Sequence, residues 1–372
     1  MQQVSGESRL GLILNWSQTQ NATDVHGKAF CPLTVRTNGE LNRIPDEISL
    51  PLNDQEILEL FAECFTSEVM EDIRNGREID LSFQFVENRY RANICRQQGY
   101  PTFALRIVPQ QTMKLSELHL PSTLKDLVRD PRGLLMLTGP TGQGKSTTVR
   151  ALLQEINESQ SIRIITIEDP IEYVFQDSRA FFEQREVRVD TPTFADGIRN
   201  AMRQDPDVIF VGEIRDQESV FTAMQAAETG HLVLTTLHAD SVAQAIGRIQ
   251  EFYPVNEQQN IRNLLARNLN AIACQRLIPN IKGDRVPCLE IMKMDQGIEE
   301  AIQKNRLTLL ADIMEISNNQ GMHTFDQYLM ELLIAEIIDE KTAKQYAVNQ
   351  HKFDLELQGI SPQQKILVRE MR

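Results

Sequence analysis

The chain has 372 residues, 41% hydrophobic and 24% charged, the composition of a globular protein long enough to bury a sizeable core. Its length favours two domains, with three possible. The formal net charge of −14 argues against a protein whose main task is to coat nucleic acid, since phosphate binding needs a basic surface, so no direct nucleic-acid partner is expected. The five cysteines are odd in number and contain no CxxC pair. That speaks against a disulfide framework or a four-cysteine zinc site and for a reducing cytosol. The apolar run LGLIL at 10–14 is far too short to span a bilayer, and the start lacks the pattern of a secretory signal. Membrane contact is therefore expected only through a partner.

Residues 1–108 read as a mixed α/β domain. The stretch 32–43 (PLTVRTNGELNR) predicts two short strands around Asn38-Gly39. Helical spacing at Ile57, Leu58, Leu60 and Phe61 predicts a helix over 54–75, capped by Asn53 or Asp54. Alternation predicts strands over 79–86 and 89–94, with another over 104–108. The polar stretch 109–117, opening on Pro109, is the expected linker.

The second domain is expected over 118–372. A short helix at 122–128 and a turn at 131–133 lead into apolar runs alternating with helices, at 134–138, 162–167, 208–211 and 232–236. Such runs suit parallel strands buried on both faces. From about residue 256 to 372 the pattern reads as helical. Ile261, Leu264, Leu265, Leu269 and Ile272 mark one apolar face, and Thr324 with Gln327 fits a capping box.

One segment carries chemistry directly. Gly139-Pro140-Thr141-Gly142-Gln143-Gly144-Lys145-Ser146 matches the phosphate-binding pattern GxxxxGK[ST] in full, with Thr147 next in line. It follows an apolar strand and precedes a helix, the context that makes the pattern credible. Its glycines let backbone N–H groups curl around the phosphates of ATP, and the helix N-terminus adds its dipole. Lys145 is placed to reach the β- and γ-phosphates and the Ser146 hydroxyl to ligate Mg²⁺. Phosphoryl transfer also needs a carboxylate near the metal and one to orient water. The strand DPDVIFVGE ends in Glu213, the shape of a Walker B strand. Glu168, Asp169 and Glu172 form an acidic cluster after the strand that follows the P-loop helix. It would repel a polyphosphate unless Mg²⁺ or a role in handling water compensates, and a solvated acidic turn is equally compatible. His231 and His238 flank the strand 232–236, where a histidine is either a hydrogen-bonded core residue or part of the site.

Taken in order, GPTGQGKST (139–147), TIEDPIEYV (166–174), FEQREV (182–187), DPDVIFVGEIRD (205–216) and AAETGHLVLTTLH (226–238) resemble the five boxes of the PilT-like secretion ATPases of type II secretion, type IV secretion and type IV pili. The N-terminal ATDVH (22–26), RYR (89–91) and Arg106 also resemble that family. The resemblance implies a PAS-like N-terminal α/β domain, a RecA-like P-loop ATPase domain and a cytoplasmic homo-hexamer acting on an inner-membrane platform protein. It further implies that Glu213 helps hold Mg²⁺ and water, and that Glu172 is the general base. His231 and His238 would sense the γ-phosphate or link subunits, and Arg89, Arg91 and Arg106 would complete the ATP site. The implied work is retraction of a type IV pilus. The alternative is service to a type IV secretion or conjugation machine similar to DotB or TraJ. Where the family carries AIRNLIRE, this chain has Gly297-Ile298-Glu299-Glu300-Ala301-Ile302-Gln303-Lys304, with two acids replacing Arg-Asn. A RecA-type nucleic-acid translocase and a non-hydrolysing nucleotide switch are opposed by the acidic balance and by intact Lys145, Ser146 and Glu213.

Overall fold

The computed structural model describes residues 6, 8–37, 39–86, 88–108, 114–317 and 321–359. The expected turn residue Asn38, the linker positions 109–113 and the tail beyond 359 lie outside the described residues. The chain divides into two compact units, Met1–Gln111 with Glu168–Phe175, and Thr112–Ile167 with Gln176–Arg372.

The first unit is built on β1 (Asp24–Lys28), β2 (Thr34–Thr37), β3 (Glu40–Arg43), β4 (Ile79–Phe85), β5 (Asn88–Gln97) and β6 (Tyr100–Val108). They form one antiparallel sheet in the order β3-β2-β1-β6-β5-β4, the PAS-like arrangement expected. Helices pack on one face, and the core between holds Leu14, Val25, Ile57, Phe61, Phe83, Tyr90 and Leu105. The helix expected over 54–75 is two, Asp54–Phe61 and Ser67–Arg74. Asn53 begins the first with a full capping box to Glu56. Thr66 caps the second by accepting from Val69 N at 3.4 Å. A second strong cap thus restarts a helix within an apolar-periodic stretch.

The second unit contains β7 (Gly133–Thr138), β8 (Arg163–Glu168), β9 (Phe181–Glu186), β10 (Val208–Val211), β11 (Leu232–Leu237), β12 (Leu269–Pro279) and β13 (Arg285–Lys293). The sheet order is β13-β12-β7-β11-β10-β8-β9. Strands β12, β7, β11, β10 and β8 run parallel, as in RecA-like domains. Every residue of β7, β10 and β11 is buried, because helices cover both faces of such a sheet.

One expectation is corrected here. The helix that carries Ile261 ends at Asn268, so Leu269 and Ile272 belong to β12 and not to its apolar face. β12 pairs with β7 on one side and in an antiparallel hairpin with β13 on the other. Helices resume with Gln296–Gln303 and continue to Gln350–Gly359. The capping box of Thr324 and Gln327 forms as expected.

His323, 4% exposed, stacks on Tyr328 with ring centroids 4.8 Å apart. Burial pushes its imidazole down to about 4 from an ordinary 6.5. Between those values the unfolded chain takes a proton that the folded chain refuses, so stability falls as pH drops from about 6.5 to about 4, by at most about 3 kcal/mol. His323→Phe, which keeps the stacking, is expected to flatten this loss. Denaturant titration at pH 7 and pH 5 checks it, and an equal loss in the variant would refute the assignment.

Candidate active site

In the second unit the parallel strands end in a common row of loops, the crevice where open α/β sheets bind ligands. Strand β7 runs into Gly139. The next glycines, Gly142 and Gly144, take positive φ before the helix Lys145–Ser159 begins. A Cβ on Gly139 would lie 2.4 Å from the Gln275 carbonyl oxygen, and φ there is +146°. Only glycine fits that backbone without displacing β12. The helix starts at Gly144 with no side chain capping it, which leaves its first N–H groups for an anion.

Lys145 lies 9% exposed within this loop. Its Nζ donates to the carbonyls of Gly139 at 2.6 Å and Pro140 at 2.9 Å. Burial holds its ammonium below the ordinary lysine value, and the charge of Glu213 partly opposes the shift. Ser146, Thr141 and Gly142 are exposed, and Thr147 is half-buried beside them.

Glu213 follows β10 and His238 follows β11. The Thr236 hydroxyl donates to the Gly212 carbonyl at 2.6 Å, and Ile214 N donates to the Thr236 carbonyl at 3.1 Å. Those bonds fix the backbone on both sides of Glu213. His238 Nδ1 lies 3.4 Å from Lys145 Nζ, and its Nε2 lies 3.4 Å from Glu213 Oε1. An ammonium can only donate, so the fitting form is neutral histidine with its proton on Nε2, facing the carboxylate. Burial and the Lys145 charge both lower the His238 value, in keeping with that form. Arg215 holds the other Glu213 oxygen, with Nε at 2.9 Å and a terminal nitrogen at 2.8 Å. Lys145, His238 and Glu213 thus form one connected cluster.

His231 is not in it. It precedes β11, seven residues from His238, so about 23 Å of strand separates them. Its Nδ1 donates to the Ala226 carbonyl at 2.8 Å at the end of the helix Gln217–Glu228.

Glu172 and the three arginines belong to the first unit. Arg36, Asp24, Arg106, Arg91 and Ser82 stand directly opposite one another across β2, β1, β6, β5 and β4, so they share one sheet face. Arg91 forms a two-pronged pair with Asp80 at 2.9 and 2.6 Å and comes within 4.0 Å of Glu172. The Asp80 bonds raise its already high affinity for its proton. Arg106 bonds Asp24 at 2.9 Å. Burial pushes the Asp24 carboxyl up, but bonds from Arg106 and Thr23 outweigh it and hold the group below its ordinary value. Arg89 is only 3% exposed, with its Nε on the Ile171 carbonyl at 2.6 Å and a terminal nitrogen on the Ser82 hydroxyl. Its head is committed to holding the backbone beside Glu172.

Sequence reasoning missed the residues that brace the loop and the acid. These are Gln275 and Leu277 on β12, which bond Gln143, and Arg215, which bonds Glu213. None belongs to a phosphate-binding pattern, and β12 itself was read as helix.

No helix among the described residues is long and apolar enough to cross a membrane. Nor does any group of three or more His, Cys, Asp or Glu among them converge as a metal site. Mg²⁺ in nucleotide sites needs only one or two protein ligands beside phosphate and water, and the hydroxyl of Ser146 with the carboxylate of Glu213 suits that demand.

The parallel sheet, the glycine cradle and the Lys145–His238–Glu213 cluster define a RecA-like P-loop ATPase. Residues 77–365 match the family model described as type II/IV secretion system protein, and the chain belongs to that family. It is 34% identical over 340 residues to a twitching motility protein of Neisseria gonorrhoeae, covering 91% of this chain and 90% of the relative. It is 35% identical over 336 residues to the type IV pilus retraction ATPase PilT of Pseudomonas aeruginosa, covering 90% and 97%. The fold is similar to the crystal structure of the pilus retraction motor PilT with bound ADP, with a TM-score of 0.81, 36% identity and coverage of 92% and 98%.

Proposed function

We propose that this chain is a cytoplasmic ring motor, a homo-hexamer that hydrolyses ATP to ADP and phosphate and so powers the retraction of a type IV pilus. It would act from the inner face of the membrane through a platform protein. The observation that carries the reading is likeness to PilT over nearly the full length of both chains, together with the connected cluster at the P-loop.

In this reading the loop 139–147 binds the phosphates through its backbone N–H groups, Pro140 having none to give, and Lys145 turns from its carbonyl partners to the β- and γ-phosphates. Ser146 and Glu213 hold Mg²⁺, which when bound neutralises charge on the phosphate oxygens. Glu213 also orients the attacking water, and neutral His238 links that carboxylate to Lys145. Glu172 acts as general base, accepting the proton of the water. Arg91 and Arg106 offer positive charge to the ATP site of the same or a neighbouring subunit. Arg89 positions the Glu172 segment. His231, at the far end of its strand, is assigned to subunit contact. The linker is placed at 109–117, between domains 1–108 and 118–372.

The acids Glu299 and Glu300, on the helix Gln296–Gln303, favour a second reading, a motor for a secretion or conjugation machine. A surface-pilus count separates the two. A deletion strain is complemented with the wild-type chain or Lys145→Ala. Excess, non-retracting pili rescued only by wild type are expected. An unchanged pilus count with lost protein secretion or DNA transfer would move the chain to the second reading.

A further inference from the structure

Gln275 is 1% exposed on β12, beside the nucleotide loop. Its side-chain amide uses both ends. Nε2 donates to the Gln143 carbonyl at 2.7 Å, and Oε1 accepts from the Thr148 hydroxyl at 2.8 Å. Two residues on, Leu277 N donates to the Gln143 side-chain oxygen at 2.6 Å. The loop is therefore tied to β12 at the main chain and at the side chain of Gln143.

The tie to the Gln143 carbonyl has a geometric consequence. A trans peptide holds its C=O and N–H on opposite sides of one plane. Fixing the Gln143 carbonyl toward β12 aims the N–H of Gly144 away from β12. Gly144 itself sits at φ +78° and, as glycine, tolerates either sign of φ. Nothing in its own chemistry stops that peptide from turning over, which would present a carbonyl where an N–H is needed. A carbonyl facing a phosphate repels it.

We infer that Gln275 is a positioning residue for nucleotide binding: by clamping the Gln143–Gly144 peptide it keeps one phosphate-binding N–H turned into the loop before the nucleotide arrives. The inference rests on the P-loop binding nucleotide, as proposed above. It assigns Gln275 to the affinity of the site and leaves the hydrolysis step to other residues.

The test is binding of a fluorescent ADP analogue and steady-state turnover by the full chain carrying Gln275→Leu, Gln275→Glu or Thr148→Val. Gln275→Glu keeps the chain length and the Thr148 bond but loses the donor to Gln143, and it decides the matter alone if Gln275→Leu does not fold. Both Gln275 variants lose the bond to the Gln143 carbonyl and are expected to raise Kd and KM about tenfold, the effect of that one buried hydrogen bond on the clamp. The expected fall in kcat at saturating ATP is less than about threefold. Thr148→Val, which leaves the peptide clamp in place, is expected to shift Kd less than about threefold. Wild-type affinity in Gln275→Glu would overturn the inference. So would an equal loss in Thr148→Val, which would show that Gln275 merely anchors the helix. A wild-type chain that binds no nucleotide would instead remove the proposed function.

Discussion

Lys145→Ala is expected to lower ATP turnover by about a thousandfold and to weaken nucleotide binding. The ammonium is the one positive charge that the loop itself carries, and it is buried against the carbonyls of Gly139 and Pro140. Those neutral partners already satisfy its donors, so moving it to a phosphate exchanges dipoles for full negative charge at little cost in reorganisation. Charge placed in advance where charge develops is the largest common contribution to this kind of catalysis. Alanine removes the charge and leaves His238 facing open space on its Nδ1 side. Phosphate release and ADP-analogue binding check the prediction. Turnover within about tenfold of wild type would exclude Lys145 from the reaction.

Glu213→Gln is expected to separate the two properties. The amide keeps the size of the side chain and an oxygen to face His238, but it loses the charge that pairs with Arg215 and suits Mg²⁺. Turnover is expected to fall by about a hundred- to a thousandfold, the usual range for losing a group that handles protons or charge in the transition state. Nucleotide Kd is expected to stay within about threefold, since the loop and Lys145 are untouched. Parallel binding and turnover titrations read the split. A loss of affinity as large as the loss of turnover would place Glu213 in ground-state binding alone.

The parts of the fold legible in the sequence were those with one dominant local signal. β7, β10 and β11 are short apolar runs because they are covered on both faces. The P-loop could be read because its pattern is local, with Gly139 and Gly144 standing where a Cβ would meet β12. A cap at Asn53 or Asp54 and the capping box at Thr324 marked helix starts, and the structure settles the first on Asn53. β12 could not be read this way. Its burial on both sides removes the two-residue alternation that marks a strand, and an apolar run of that kind looks like one more turn of a buried helix. With β12 misread, Gln275 had no visible route to the loop, because its contact with Gln143 spans 132 positions of chain.

The candidate site divided in the same manner. Lys145, Glu213 and His238 each end or follow a buried parallel strand, so topology gathers them once the strand order is known. Spacing along the chain could not tell His238 from His231, since both adjoin β11. The direction of the strand decides between them, with one histidine at the loop end and the other at the helix-capping end. Arg89 looked equivalent to Arg91 because both lie on the same face of β5. The difference is burial: Arg89 is spent on the Ile171 carbonyl, while Arg91 faces Asp80 and Glu172.

The most direct test of the account is phosphate release from ATP by the purified chain, with and without Mg²⁺. Turnover that appears only with Mg²⁺ and is lost in Lys145→Ala is the predicted result. A wild-type chain with no release above background at saturating ATP and Mg²⁺, or release untouched by Lys145→Ala, would contradict it.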